Sequence, residues 1–104
     1  MITAIVQFQL PSTMTREAAE VSFTSVAPMF REIPGLIRKY FLLSEDGTVG
    51  GGVYLWESRQ DADRCYTVNF RDAIAEKFGS EPSITYFDSP VIVDNLKGNI
   101  TLAA

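Results

Sequence analysis

The sequence predicts an α+β domain with the element order β-α-β-β-α-β. Three observations carry that expectation. Apolar and polar residues alternate at Ile2–Leu10 and again at Pro82–Val93, near the two ends of the chain. Two stripes of apolar residues at spacings of three and four mark one helix after the first strand and another before the last. Between them lies Asp46-Gly47, a strong short signal for a hairpin joining two further strands.

In the first strand, Ala4, Val6, Phe8 and Leu10 fall on one face, with Thr3, Gln7 and Gln9 on the other. Pro11-Ser12-Thr13 breaks it, and Thr15 can cap a helix beginning Arg16-Glu17-Ala18. Ala19, Phe23, Val26, Phe30 and Ile33 form the apolar stripe of that helix. Pro28 lies inside the stripe, where its missing N–H should kink or break the helix, and Pro34-Gly35 ends it.

Leu36–Leu43 and Val49–Glu57 are the hairpin strands. With Asp46-Gly47 as a two-residue loop, Lys39 faces Tyr54 and Ile37 faces Trp56 on one side of the sheet, while Arg38 and Leu55 share the other. A bulge among Gly50-Gly51-Gly52 would exchange the faces. These glycines enter a strand and not a helix N-terminus, so they lack the geometry of a phosphate loop and read as a close backbone approach or a bulge.

Ser58 with Asp61 resembles a capping box for the second helix, with Asp in place of the usual Glu. Ala62, Tyr66, Asn69, Phe70 and Ala73 share its apolar face, Thr67–Asn69 can hold a break, and Gly79 stops it after Phe78. Pro90 in the last strand implies an edge position or a bend. Two helices on one face of a four-stranded antiparallel sheet make a ferredoxin-like sandwich. We read residues 1–104 as a single such domain, with 94–104 as a C-terminal tail. The second sheet face has no cover within the chain and would include some of Tyr40, Phe41, Tyr54, Trp56, Tyr86 and Phe87. A homodimer through this open face is therefore expected.

Composition narrows the functions. Hydrophobic residues make up 46% and charged residues 21% of 104 residues, an ordinary globular balance. The net charge is −4, and nine Lys and Arg are scattered among thirteen acids, so nucleic acid and anionic membrane are not expected partners. An RNA recognition module would need a basic, aromatic third strand, and here that strand reads Val-Gly-Gly-Gly-Val-Tyr-Leu-Trp. The N-terminus lacks the pattern of a signal peptide and no run approaches 18 apolar residues, which points to the cytoplasm. The chain has no histidine and one cysteine, Cys65. That removes Ser-His and Cys-His dyads, zinc sites of the finger kind and any disulfide framework within the chain. A site of carboxylates alone stays open.

From Ile33 onward the sequence resembles the YdhR-type monooxygenases, within the dimeric α+β barrel proteins related to antibiotic-biosynthesis monooxygenases. The likeness is carried by Ile33-Pro34-Gly35-Leu36, Ser44-Glu45-Asp46-Gly47, Gly51-Gly52-Val53-Tyr54-Leu55-Trp56 with Ala62 and Tyr66, and Tyr86-Phe87-Asp88-Ser89-Pro90. The N-terminal third matches in its strand-helix pattern alone. The resemblance implies a dimer with two sheets face to face and a pocket in each protomer between sheet and helices. It further implies oxidation of a small aromatic or quinol-like molecule by O2 with no metal, flavin or haem cofactor. Haem-using relatives of the barrel generally need a histidine ligand, which is missing here.

Such chemistry needs groups that orient a substrate and stabilise its anion. Asn69, Tyr66 and Arg38 are the candidate catalytic residues, and Trp56, Tyr40, Phe70 and Phe23 the candidate substrate-binding residues. Each has a plainer reading. Asn69 could cap the second half of a broken helix, with Asp72 three positions on. Tyr66 and Trp56 could be core or interface packing, and Arg38 could pair with Asp88 or lie half-exposed beside Tyr40 on an edge strand. Lys39 reads as solvated and Cys65 as an inert helix residue. A non-catalytic small-molecule binding or sensing domain, and a structural dimerisation protein with a filled pocket, are the alternatives to the enzyme.

Overall fold

In the computed structural model, which describes residues 1–102, strand β1 (Ile2–Gln9) lies inside a four-stranded antiparallel sheet of order β2-β3-β1-β4. Its alternation does what the pattern requires. Ala4, Val6 and Phe8 are buried under the helices, and Gln7 and Gln9 are exposed on the other side.

Helix α1 (Arg16–Val26) starts where Thr15 accepts a hydrogen bond from the Ala18 N–H at 3.1 Å. It ends as Pro28 demands, tightening into a 3-10 turn over Ala27–Phe30. The apolar stripe survives the change of winding, since Ala19, Phe23, Phe30 and Ile33 all pack on the core.

Strands β2 (Leu36–Leu43) and β3 (Val49–Trp56) pair Lys39 with Tyr54 and Arg38 with Leu55, as expected. The bulge lies elsewhere than among the glycines. The register shifts between Leu36 and Arg38, so Leu36 and not Ile37 stands opposite Trp56. Leu36 thereby packs on the core while Ile37 is left 40% exposed. Gly50 and Gly51 serve close packing. A Cβ on Gly51 would lie 1.9 Å from the Val6 carbonyl oxygen, and one on Gly50 would lie 3.0 Å from the Phe8 ring.

The second helix is broken in two, inside the region its sequence allowed. Helix α2 (Arg59–Cys65) is capped by Ser58, whose hydroxyl oxygen accepts from the Asp61 N–H at 3.1 Å. Helix α3 (Val68–Phe78) is capped by Thr67, which accepts from the Phe70 N–H at 3.3 Å, and ends at Gly79 with φ +83°. Strand β4 (Ser83–Asp88) forms the far edge of the sheet. The last strand stops there and does not run on to Val93. Beyond Ser89-Pro90 the chain doubles back as a separate hairpin, β5 (Val91–Asp94) with β6 (Asn99–Leu102). Much of the expected tail is therefore part of a hairpin, and its residues 103 and 104 lie outside the described region.

Of the six aromatic residues from which the open face was expected to draw some, Phe41, Tyr54, Trp56 and Tyr86 turn toward the helices. Tyr40 and Phe87 remain on the open face, 57% and 52% exposed. They lie with the half-buried Ile5, Leu42, Val53 and Leu55. Among the described residues no helix is long and apolar enough to cross a membrane.

The close approach at β3 gives a test of this packing. Gly51→Ala should destabilise the domain by roughly 1–3 kcal/mol through overpacking, read as a lower urea midpoint. An unchanged midpoint would show that the β1–β3 contact is looser than described.

Candidate active site

A cavity of about 420 Å³ opens between the sheet and the helices. Phe8, Phe41 and Tyr54 form its sheet side, Phe23 and the 3-10 turn residue Phe30 one wall, and Phe70, Ile74 and Phe78 of α3 another. The ring contacts bind these walls together. Phe23 stacks with Phe41 at 5.3 Å between centroids, Phe8 with Phe78 at 4.6 Å, and Phe30 meets Tyr54 edge-on at 6.1 Å. The polar exceptions in the lining are Lys39, Thr67, Asn69, Lys77 and the Cys65 thiol.

Lys39 departs furthest from its sequence reading. It is not solvated. Its Nζ lies 3.4 Å from the Phe30 ring centroid, 3.8 Å from Phe41 and 4.5 Å from Tyr54. Gly52 makes the room, because a Cβ there would lie 3.0 Å from Lys39 Cε and 3.0 Å from Tyr54 Cε1. Burial disfavours the charged amine and pushes its pKa from 10.5 down to about 7, opposed in small part by Cys65. Burial likewise pushes the Cys65 thiol up, with Lys39 acting against it. No Asp or Glu lines this cavity among the described residues. The sequence did hold the signal, since the hairpin register already put Lys39 on the same side as Tyr54. Which side the helices cover was the missing fact.

Asn69, Phe70 and Phe23 line the cavity. Thr67, and not Asn69, is the cap of α3. Trp56 and Tyr66 stand outside the cavity lining. Trp56 is fully buried and its indole N–H donates to the Tyr66 hydroxyl at 3.0 Å. Tyr54 bridges them to the cavity, stacked on Trp56 at 6.0 Å and edge-on to Tyr66 at 5.2 Å. Burial raises the pKa of both Tyr54 and Tyr66, so these hydroxyls stay protonated as donors.

Arg38 and Tyr40 are on the opposite face of the sheet. With Lys39 turned inward, strand alternation sends both of its neighbours outward. There the Arg38 guanidinium donates to the Tyr40 hydroxyl at 3.4 Å and approaches Asp94 at 3.8 Å. Asp94, and not Asp88, is its acidic neighbour. Arg38 and Asn69 thus do not share a cavity within one chain. Among the described residues no group of three or more Cys, Asp or Glu is placed to hold a metal ion.

The buried amine has a consequence for stability. Between pH 7 and 10.5 the folded chain leaves Lys39 neutral while the unfolded chain protonates it, so this group makes stability rise with pH across that window. Lys39→Met should therefore be the more stable protein at pH 6, by on the order of 1 kcal/mol or about 4–8 °C in Tm. The difference should shrink as pH approaches 10. A variant that is less stable than the parent at pH 6 would contradict a desolvated amine.

Comparison with known proteins places this geometry. The family model described as "Putative mono-oxygenase ydhR" matches residues 5–88. No curated protein matches the chain. Among solved structures, the monooxygenase from the gene ActVA-Orf6 of Streptomyces coelicolor, in complex with nanaomycin D, is similar with a TM-score of 0.66 and 23% identity, over 88% of this chain and 89% of that one. SnoaB, a cofactor-independent oxygenase from Streptomyces nogalater, is similar with a TM-score of 0.63 and 17% identity, over 85% of this chain and 91% of that one. A Deinococcus radiodurans protein described as a putative antibiotic biosynthesis monooxygenase has a TM-score of 0.67 and 11% identity, over 90% of this chain and 97% of that one. At these identities the structural neighbours establish the ferredoxin-like α+β fold, and the family match over most of the chain goes further: the chain belongs to the ydhR mono-oxygenase family.

Proposed function

We propose that this protein is a cofactor-independent monooxygenase that oxidises a small aromatic or quinol-like molecule with O2. The observation that carries the reading is the cavity itself, apolar, walled by aromatic rings and about 420 Å³ in volume, in a chain of this family. An activated CH2 group of an anthrone-like substrate loses a proton, and its carbanion passes an electron to O2. Recombination forms a C–O bond, and loss of water leaves a ketone, one oxygen atom going to product and the other to water. The protein's part is to hold the substrate away from solvent and stabilise the anion. That a neighbour is a cofactor-independent oxygenase and another holds nanaomycin D supports the same reading.

Asn69 and Phe70, with Phe23 across the cavity, line it, and in this reading they contact the substrate directly. Tyr66 acts through Tyr54 and Trp56 as a support for that wall. Arg38 and Tyr40 can join a site only if a second chain brings their face into play. We propose a homodimer through this open sheet face, to which the exposed Val91, Val93, Ile100 and Leu102 of the hairpin add apolar surface.

Oxygen uptake by metal-free protein over a panel of anthrones and quinols, with chelator and boiled controls, tests the reaction. Saturable, chelator-insensitive uptake with a ketone or quinone product is expected, and Asn69→Ala should lower turnover at least about tenfold without unfolding. Tight binding with no uptake would make the protein a binding or sensing domain instead. Light scattering should give a dimer at micromolar concentration, and a monomer would remove the proposed interface.

A further inference from the structure

A chain without histidine still has to accept a proton if its cavity is to generate an anion. The groups facing the cavity from each element are few. Strand β2 supplies Lys39, β3 supplies Tyr54, α2 supplies Cys65, and α3 supplies Lys77 with the uncharged Asn69 and its cap Thr67. Tyr54 and Cys65 are both held in their protonated forms by burial. Lys77 stands at the far wall, its Nζ 5.9 Å from the Phe78 ring centroid. Among the described residues Lys39 alone has its nitrogen against three ring faces, at 3.4, 3.8 and 4.5 Å.

We propose that Lys39 is the proton acceptor and anion-pairing group of this cavity, and that the ligands it selects are aromatic molecules carrying an acidic phenol or enol hydroxyl. The inference rests on reading the cavity as the substrate site. The step is a proton transfer. The substrate O–H bond breaks, an N–H bond forms on Nζ, and the electron pair stays on the substrate oxygen. The ammonium so formed is held by the faces of Phe30, Phe41 and Tyr54, whose negative quadrupoles favour a cation over a neutral amine. An apolar cavity that holds the new Lys39 ammonium and Lys77, and among the described residues no carboxylate, accepts the resulting anion and disfavours a cationic ligand. An amine shifted toward neutrality by burial can take this proton at ordinary pH, which an exposed lysine cannot.

The paired state has one proton fewer than acid with ammonium and one more than anion with amine. Affinity for a phenol therefore passes through a maximum between the ionisation of the phenol and that of Lys39. Arginine at this position would keep the anion partner but could not lose its proton.

The test is anaerobic binding of 4-nitrophenol, whose ionised form has its own absorbance band, beside 4-nitroanisole as the neutral comparator. Wild-type protein should bind 4-nitrophenol in its ionised form at pH 6, with a bell-shaped affinity profile. Lys39→Met should bind 4-nitroanisole within about threefold of wild type but 4-nitrophenol at least about tenfold more weakly, without the ionised band. Lys39→Arg should keep the band and lose the decline in affinity at high pH. An ionised band that persists in Lys39→Met would overturn the proposal. So would the same loss in Lys77→Met with Lys39→Met unaffected, or a wild-type protein that never shows the band. Should Lys39→Met fail to fold, an unchanged bell in Lys39→Arg overturns it equally. Because this binding is measured without O2 it stands apart from the oxygen-uptake assay: Lys39-dependent ionisation here, with no uptake over the anthrone and quinol panel in air, would reject the oxygenase reading and leave this one standing.

Discussion

Strand β3 is hydrogen-bonded on both sides and covered by helices on one face, and it carries three consecutive glycines where it is most crowded. The site depends on that constraint. At Gly51 the backbone of β1 comes so near that no side chain fits, and at Gly52 the missing Cβ is the space that the Lys39 stem crosses. Immediately after the glycines the strand changes character, with Tyr54 and Trp56 filling the covered face completely. One eight-residue strand therefore sets both the bare floor of the cavity and, through Tyr54, the aromatic side that bounds it.

The energetics of the site turn on a competition. Taking an ammonium out of water without an anion beside it costs a few kcal/mol at the least. Three ring faces return on the order of 1 kcal/mol each, more when desolvated. The rings offset only part of the desolvation cost, and with the pKa brought down to about 7 both charge states of Lys39 are populated near neutral pH. The neighbouring Trp56-Tyr66 hydrogen bond has no such ambivalence. Both groups are buried and neutral, and the indole N–H donates to the Tyr66 hydroxyl oxygen at 3.0 Å. The wall is fixed while the amine in front of it is free to exchange a proton.

The order of elements was legible because each had a local cause: alternation in β1, the Asp46-Gly47 turn, Thr15 and Ser58 as caps, Pro28 and Gly79 as terminators. The candidate site was legible in part. Asn69, Phe70 and Phe23 could be found because helical spacing puts them on one apolar face. Lys39, Arg38 and Tyr40 could not be sorted, because consecutive strand residues face opposite ways and the sequence does not say which side the helices cover. The bulge at Ile37 added to this, shifting the strand's N-terminal end without a glycine to announce it. The hairpin after Pro90 escaped notice because Val91–Asp94 continues the preceding alternation, and only the return of Asn99–Leu102 reveals a separate sheet.

The most direct measurement on the central claim is the pKa of Lys39 itself, read from the side-chain 15N and 13Cε resonances of the folded protein between pH 5 and 11, assigned through Lys39→Met. A midpoint near 7, with chemical shifts displaced by the surrounding rings, is the result this account expects. A midpoint near 10.5 without ring-induced shifts would mean that the amine is in water and that Lys39 is not the proton acceptor of the cavity.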